Sequence, residues 1–161
     1  MDLHLLNPYN VEETNLLDYS FVNKDGITYR AYFMPIYETY PSLINTYSFS
    51  IEREGDAPHA IDRRIAETVV HILRRFFDNV ENAMIMVCDN TDGKQRKRRN
   101  LFDRWFHYYN DGTMTTLNAE AGQGDYELLF SIYFKNNNPY KSLLVQAFGE
   151  LLTHDLYEII V

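Results

Sequence analysis

The chain has little of what marks the common functional classes. Its single cysteine, Cys88, cannot form an internal disulfide, so a reducing cytoplasm is the expected setting. No N-terminal stretch has the charged, apolar and small-residue order of a secretory signal. Apolar runs such as Ala83–Cys88 fall far short of the about 20 residues that a membrane helix needs. His4, His59, His71, His107 and His154 show no HxxxH, HxH or Cys/His spacing, so no metal is expected. The nucleophile elbow Gly-x-Ser-x-Gly and the phosphate loop Gly-x-Gly-x-x-Gly are both missing. A net charge of −8 opposes wholesale attraction to nucleic acid or anionic lipid.

What is present suits one domain over residues 1–161. A hydrophobic content of 45% is enough to fill a core without disulfides or metal. Neither an internal repeat nor a low-complexity linker divides the chain. Thirteen tyrosines and ten phenylalanines fit strand formation and core filling. Tyr37, Tyr40 and Tyr140 lie near expected loops and are the candidates for an aromatic surface.

Periodicity and punctuation give the element order. Tyr19–Val22 and Ile27–Ile36 flank Asn23-Lys24-Asp25-Gly26, a hairpin signal because glycine takes positive φ without a Cβ clash. Ile27, Tyr29, Ala31 and Phe33 share one face of the second strand. Thr46–Glu52 alternates Tyr47, Phe49 and Ile51 with Ser48, Ser50 and Glu52. A helix follows with Asp56 as its expected N-cap and Ile61, Ile65, Val69, Ile72 and Phe76 as its apolar stripe. Arg63, Arg64, Glu67 and Arg74 are expected to face water.

Ala83–Cys88 is apolar throughout and reads as a central strand covered on both faces. Asp92 and Gln95 have capping-box spacing for the next helix, whose expected buried face is Leu101, Trp105 and Tyr108. Thr113–Ala119 and Tyr126–Lys135 form a second hairpin around Gly122-Gln123-Gly124, and Asn138 caps a last helix with Leu143, Leu144, Ala147, Phe148, Leu151 and Leu152 on its apolar side. The expected fold is α+β: a mainly antiparallel twisted sheet with about three packed helices, in the order β-β-β-α-β-α-β-β-α.

The segment after Cys88 is the most distinctive. A buried strand leads through Asp89-Asn90-Thr91-Asp92-Gly93 into a helix that opens on Lys94, Arg96, Lys97, Arg98 and Arg99. Free backbone N–H groups and the helix dipole favour an anion there, whereas basic side chains oppose the dipole unless something negative compensates. The plainer reading is a solvated helix face pairing with acidic neighbours. An EF-hand alignment puts Cys88 at the first ligand position and Arg99 at the last, and a P-loop lacks its first glycine, so both are excluded. Asp89, at the end of the apolar strand, is the candidate for proton transfer.

Ile65-Ala66-Glu67-Thr68, the loop Cys88-Asp89-x-x-Asp92-Gly93-Lys94-Gln95 and Phe102-Asp103-Arg104-Trp105-Phe106 resemble an uncharacterised family of small bacterial proteins with a domain of unknown function. That resemblance implies a bacterial, cytoplasmic protein and transfers no catalytic residue. The order of elements is similar to the core of GNAT-type N-acetyltransferases, which implies coenzyme A as cofactor. In that superfamily an Arg/Gln-x-x-Gly-x-Gly/Ala loop holds the pyrophosphate. Here Arg53-Glu54-Gly55-Asp56-Ala57-Pro58 stands in its place, without the glycine spacing and with Glu54 and Asp56 repelling phosphate.

Three functional expectations follow. The first is a non-enzymatic cytoplasmic protein that binds an acidic protein or phosphate-bearing ligand through Lys94, Arg96, Lys97, Arg98 and Arg99, with no cofactor. The second is a divergent acetyl-coenzyme A-dependent enzyme, and the third an Asp-based metal-dependent hydrolase.

Overall fold

A computed structural model of the protein describes residues 6–55, 62–88, 95–121 and 128–151. Its strands are β1 (Glu12–Asn15), β2 (Asp18–Val22), β3 (Thr28–Pro35), β4 (Thr46–Arg53), β5 (Ala83–Cys88), β6 (Met114–Ala121) and β7 (Leu128–Lys135). Its helices are α1 (Arg63–Phe77), α2 (Gln95–Tyr109) and α3 (Lys141–Leu151). The strands form one sheet in the order β1-β2-β3-β4-β5-β7-β6. Only the β4–β5 pair is parallel among these; the others are antiparallel.

The α+β fold, the three helices and the expected order are therefore observed, with one strand added in front. That strand, β1, is a fully exposed Glu-Glu-Thr-Asn edge with no apolar alternation. It turns into β2 through Leu16 and Leu17, and Leu17 takes a φ of 60° without the glycine or asparagine that usually signals such a turn. The β2–β3 hairpin does use Gly26, at φ 78°. Its loop is organised by the buried Asn23, whose Oδ1 accepts from the Asp25 and Ile27 amides. Pro35 is tolerated because it ends β3, where its missing N–H points past the end of β2.

Strand alternation divides the apolar residues between two cores. Tyr19, Phe21, Tyr29, Ala31, Phe33 and Phe49 meet Val69, Ile72 and Phe76 of α1 and Phe102 of α2 on one face. Phe33 stacks on Phe76 at 4.1 Å between ring centroids. On the other face Ile85, Phe130, Ile132 and Phe134 pack against Leu144, Ala147 and Phe148 of α3. β5 and β7 contribute to both cores, which is why they read as continuous apolar runs. The same face of β2–β4 carries a polar ladder instead, with Arg30 bonded to Asp18 at 2.7 Å and the Tyr32 hydroxyl donating to Glu52 at 2.9 Å.

Several local expectations are corrected. The N-cap of α1 is Asp62, whose carboxylate accepts from the Arg64 amide; Asp56 and Ile61 lie outside the described residues. Glu67 is buried rather than solvated, at 7% exposure. The chain at Asn7–Tyr9 crosses α1 there, with the Asn7 amide donating to Glu67 and the Tyr9 amide to the Thr68 hydroxyl, both at 2.9 Å. A contact between residues sixty positions apart leaves no local signature.

The buried face of α2 is also rotated from expectation. Leu101 and Tyr108 are 40% and 47% exposed, while Phe102 is 7% exposed and Trp105 and Phe106 are partly buried against the core. Leu143 of α3 is exposed, whereas Leu144, Ala147, Phe148 and Leu151 are buried. Asn138 does prepare α3, its Oδ1 accepting from the Tyr140 amide at 2.8 Å.

Candidate functional site

β4 and β5 start as neighbours and then part. Thr46, Tyr47 and Ser48 pair with Ala83, Met84 and Ile85, and no later residue of either strand is in that register. β4 nevertheless stays paired with β3 as far as Arg53, and β5 with β7 as far as Cys88. The sheet therefore splits between two strands that are each still held on their outer sides.

Hydrogen-bond parity shows what lines the gap. Glu54 donates to Thr28 and Thr46 accepts from Ile36, so the even-numbered residues of β4 face β3. The Phe49 amide still completes the Ser48–Ile85 bridge, so the Phe49 carbonyl and the backbone groups of Ile51 and Arg53 face the gap. Across it, the Ala83 amide bonds to Asn45 on the β4 side, which turns Val87 toward the gap by the same alternation. Side chains on the helix-covered face narrow the space: Phe49 and Phe102 lie 6.4 Å apart between centroids.

Along the chain α1 follows β4 and α2 follows β5, each after a connection that leaves the carboxyl end of its strand. Crevices outside the carboxyl ends of parallel strands are where helix N-termini and loop residues converge on ligands. Arg53, the last residue of β4, has a buried guanidinium nitrogen, Nη1, with no hydrogen-bond partner among the described residues. A buried cationic donor left unsatisfied is costly unless an anion or water completes it. The first turn of α1 is less hospitable to phosphate, since the Asp62 carboxylate already occupies it and receives the Tyr9 hydroxyl as well.

The sequence candidates are distributed unevenly around this opening. Asp89, Asp92 and Lys94 lie outside the described residues, as do the side chains of Arg96 and Arg98. Lys97 is exposed near the start of α2. Arg99 is drawn into surface pairing, 3.3 Å from Glu120 on β6 and 4.0 Å from Asp103 one turn along. The acidic N-terminal stretch pairs with other cations: Glu13 with Arg75 at 3.4 Å and Asp18 with Arg30. Cys88 is buried at the end of β5.

Arg53 and the strand gap were missed by sequence reasoning. Adjacent apolar and polar positions reveal a strand but not which neighbour it has or where pairing stops. The tyrosines expected as surface candidates are engaged elsewhere: Tyr37 makes an edge contact with Tyr47 at 5.5 Å, and Tyr40 and Tyr140 pack against the α3 core.

A cavity of about 260 Å³ lies at the opposite end of the helix-covered face, between the last turns of α1 and α2. Tyr133 forms part of its floor, and burial pushes that phenol's pKa up to about 12. The hydroxyl therefore stays protonated at neutral pH. Among the described residues no group of three His, Cys, Asp or Glu side chains gathers to hold a metal ion, and no helix is long and apolar enough to cross a membrane.

Residues 61–150 match a family of unknown function, DUF6169, over more than half of the chain, and the protein belongs to that family. The match runs from the residue before the α1 cap into the last turn of α3 and includes the β5 side of the gap. No curated protein matches the chain.

Proposed function

We propose that this DUF6169 member binds an anionic, amide-bearing ligand of the coenzyme A class in the gap between β4 and β5. The observation that carries the reading is the parting of two parallel strands after the Ser48–Ile85 pair. The Phe49 carbonyl and the N–H and C=O groups of Ile51 and Arg53 are left there at the alternating spacing of a strand edge, which an extended amide chain satisfies as an added strand does. The similarity in element order to GNAT-type N-acetyltransferases favours a coenzyme A arm over a peptide.

The phosphates require cations that the first turn of α1 does not provide, because Asp62 is its cap. Arg53 Nη1 supplies a buried donor beside the gap, and Lys94, Arg96, Lys97 and Arg98 supply charge at the start of α2. Arg99 is the weakest contributor because Glu120 and Asp103 already engage it. The proposal is one of binding. Acyl transfer requires in addition a base for the acceptor's proton, the role for which Asp89 is the candidate.

The test is thermal unfolding and calorimetric titration with coenzyme A and acetyl-coenzyme A at two salt concentrations. A ligand that binds only the folded state raises stability by about 2.7 kcal/mol at a hundredfold excess over Kd. Saturable stabilisation that weakens with salt and with Arg53→Gln is the expected result. Absence of stabilisation by coenzyme A, with an acidic protein retained through the same basic residues, would replace this reading by a protein-binding one.

A further inference from the structure

The 260 Å³ cavity opens toward the other end of the helix-covered face, at the ends of α1 and α2 and around Met84 near the start of β5, and Phe102 borders both it and the strand gap. Its walls are aromatic and apolar: Phe77 of α1, Trp105 and Phe106 of α2, and Tyr133 of β7 surround Met84. Phe106 and Tyr133 lie 5.2 Å apart between centroids at a tilt of 53°, a rigid corner against which a further ring can pack. For scale, a dry apolar cavity of about 150 Å³ accepts a benzene molecule. The space here admits one aromatic ring and a short polar tail.

The rim decides what that tail carries. Arg74 and Lys135 bring positive charge, and Asp78 and Asp111 bring negative charge. Asp111 is committed internally: it accepts from the Thr113 amide and hydroxyl, and those bonds, with help from Arg74, hold its carboxyl below the usual range. Lys135 then offers a cation to a carboxylate, and Asp78 an acceptor to an ammonium. A ligand with one charge would meet a like-signed rim group as well as an opposite one, whereas a zwitterionic head group complements both.

We propose that this cavity is a binding site for a free aromatic amino acid, its ring held between Phe77, Phe106 and Tyr133 and its zwitterionic head group at the Lys135–Asp78 rim. The residues that hold the ring and the head group, Phe77, Phe106, Tyr133, Lys135 and Asp78, are separate from those that line the strand gap.

Trp105 is the chain's single tryptophan and lines the cavity, so its emission reports occupancy directly. The full chain is titrated with L-phenylalanine, 3-phenylpropionate and phenethylamine. A saturable change in Trp105 emission is expected with phenylalanine, at an affinity at least tenfold higher than for either singly charged analogue. Lys135→Gln should weaken phenylalanine and phenylpropionate and, by removing a like charge from the rim, leave phenethylamine no weaker. Val70→Phe, which fills the cavity from α1, should abolish the response. The proposal is overturned if phenylalanine gives no saturable change up to its solubility, if a singly charged analogue binds as tightly, or if Lys135→Gln has no effect. A folded Val70→Phe variant that still binds would also overturn it.

Discussion

Ser48 and Ile85 are the last residues at which β4 and β5 pair, although β4 continues to Arg53 and β5 to Cys88. Amides that face a neighbour strand are protected from exchange, and those that face the gap are not. The Ile51 and Arg53 amides should therefore exchange faster than the Tyr47 and Phe49 amides on the same strand and faster than the even-numbered amides of β5, which face β7 in an unbroken register. Residue-resolved hydrogen exchange checks this. Saturating coenzyme A should then slow the two gap amides selectively. Equal protection along β4 without ligand would mean that the strands do not part.

Phe102 and Leu101 are neighbours in sequence with opposite environments, 7% and 40% exposed. Phe102 touches Phe49, Trp105 and Tyr133. Phe102→Ala should destabilise by about 3–5 kcal/mol, as large aromatic deletions from a core do. Leu101→Ala should stay within about 0.5 kcal/mol. Urea denaturation of both variants separates the two faces, and a reversed order would restore the Leu101 face as the buried one.

The α2 stripe shows how far periodicity reaches. Leu101, Trp105 and Tyr108 and the set Phe102, Trp105 and Phe106 both have helical spacing, because the helix is aromatic on several sides. Only the tertiary fit against Phe49 and Tyr133 chooses between them. Where one face is apolar and the other polar, as in β3 with Tyr29, Ala31 and Phe33 against Thr28, Arg30 and Tyr32, the sequence pattern and the burial agree. Likewise the all-apolar Ala83–Cys88 segment is the interior strand expected. The strand gap, the burial of Glu67 and the orphaned nitrogen of Arg53 depend on contacts or on missing contacts between distant segments, which no local pattern encodes.

Asp18 links stability to acid. Arg30 donates two hydrogen bonds to its carboxylate, at 3.0 and 2.7 Å, and holds its pKa below the usual carboxylate value. A carboxyl with a lowered folded pKa stabilises the protein fully above its unfolded value of about 4, and that contribution is lost as pH falls through the folded value. Asp18→Asn should lower the melting temperature slightly at neutral pH and flatten its decline below about pH 4. The effect is small because the pair is partly solvated. Parallel acid profiles for the two proteins would count against the linkage.

Asn138 joins two loops. Its Oδ1 takes the Tyr140 amide ahead of α3, and its Nδ2 donates to the Asn82 carbonyl at 3.3 Å, ahead of β5. The Asn82 contact is buried and the Tyr140 contact half-buried. Asn138→Ala strands both partner groups and should cost about 1–3 kcal/mol. Asn138→Asp keeps the acceptor but loses the donor, so its stability should lie between the two. Chemical denaturation of the three proteins tests the order; an Asp variant no better than Ala would place the energy in the Asn82 contact alone.

Lys97 and Arg99 divide the basic start of α2 into a side chain held by surface pairs and one open to solvent. Arg99 is anchored to Glu120 and Asp103, so Arg99→Gln removes at most about 1 kcal/mol of stability and little ligand attraction. Lys97→Gln combined with Arg98→Gln removes charge while sparing the Phe102 contacts that hold the helix. The double variant should keep the parent melting temperature yet bind coenzyme A more weakly. Its affinity should also depend less steeply on salt, because fewer phosphate contacts remain to be screened over the roughly 8 Å Debye length at physiological ionic strength. Calorimetry at two salt concentrations reads both quantities. Unchanged affinity with an unchanged salt slope would move the anion site away from α2 and leave Arg53 as its centre.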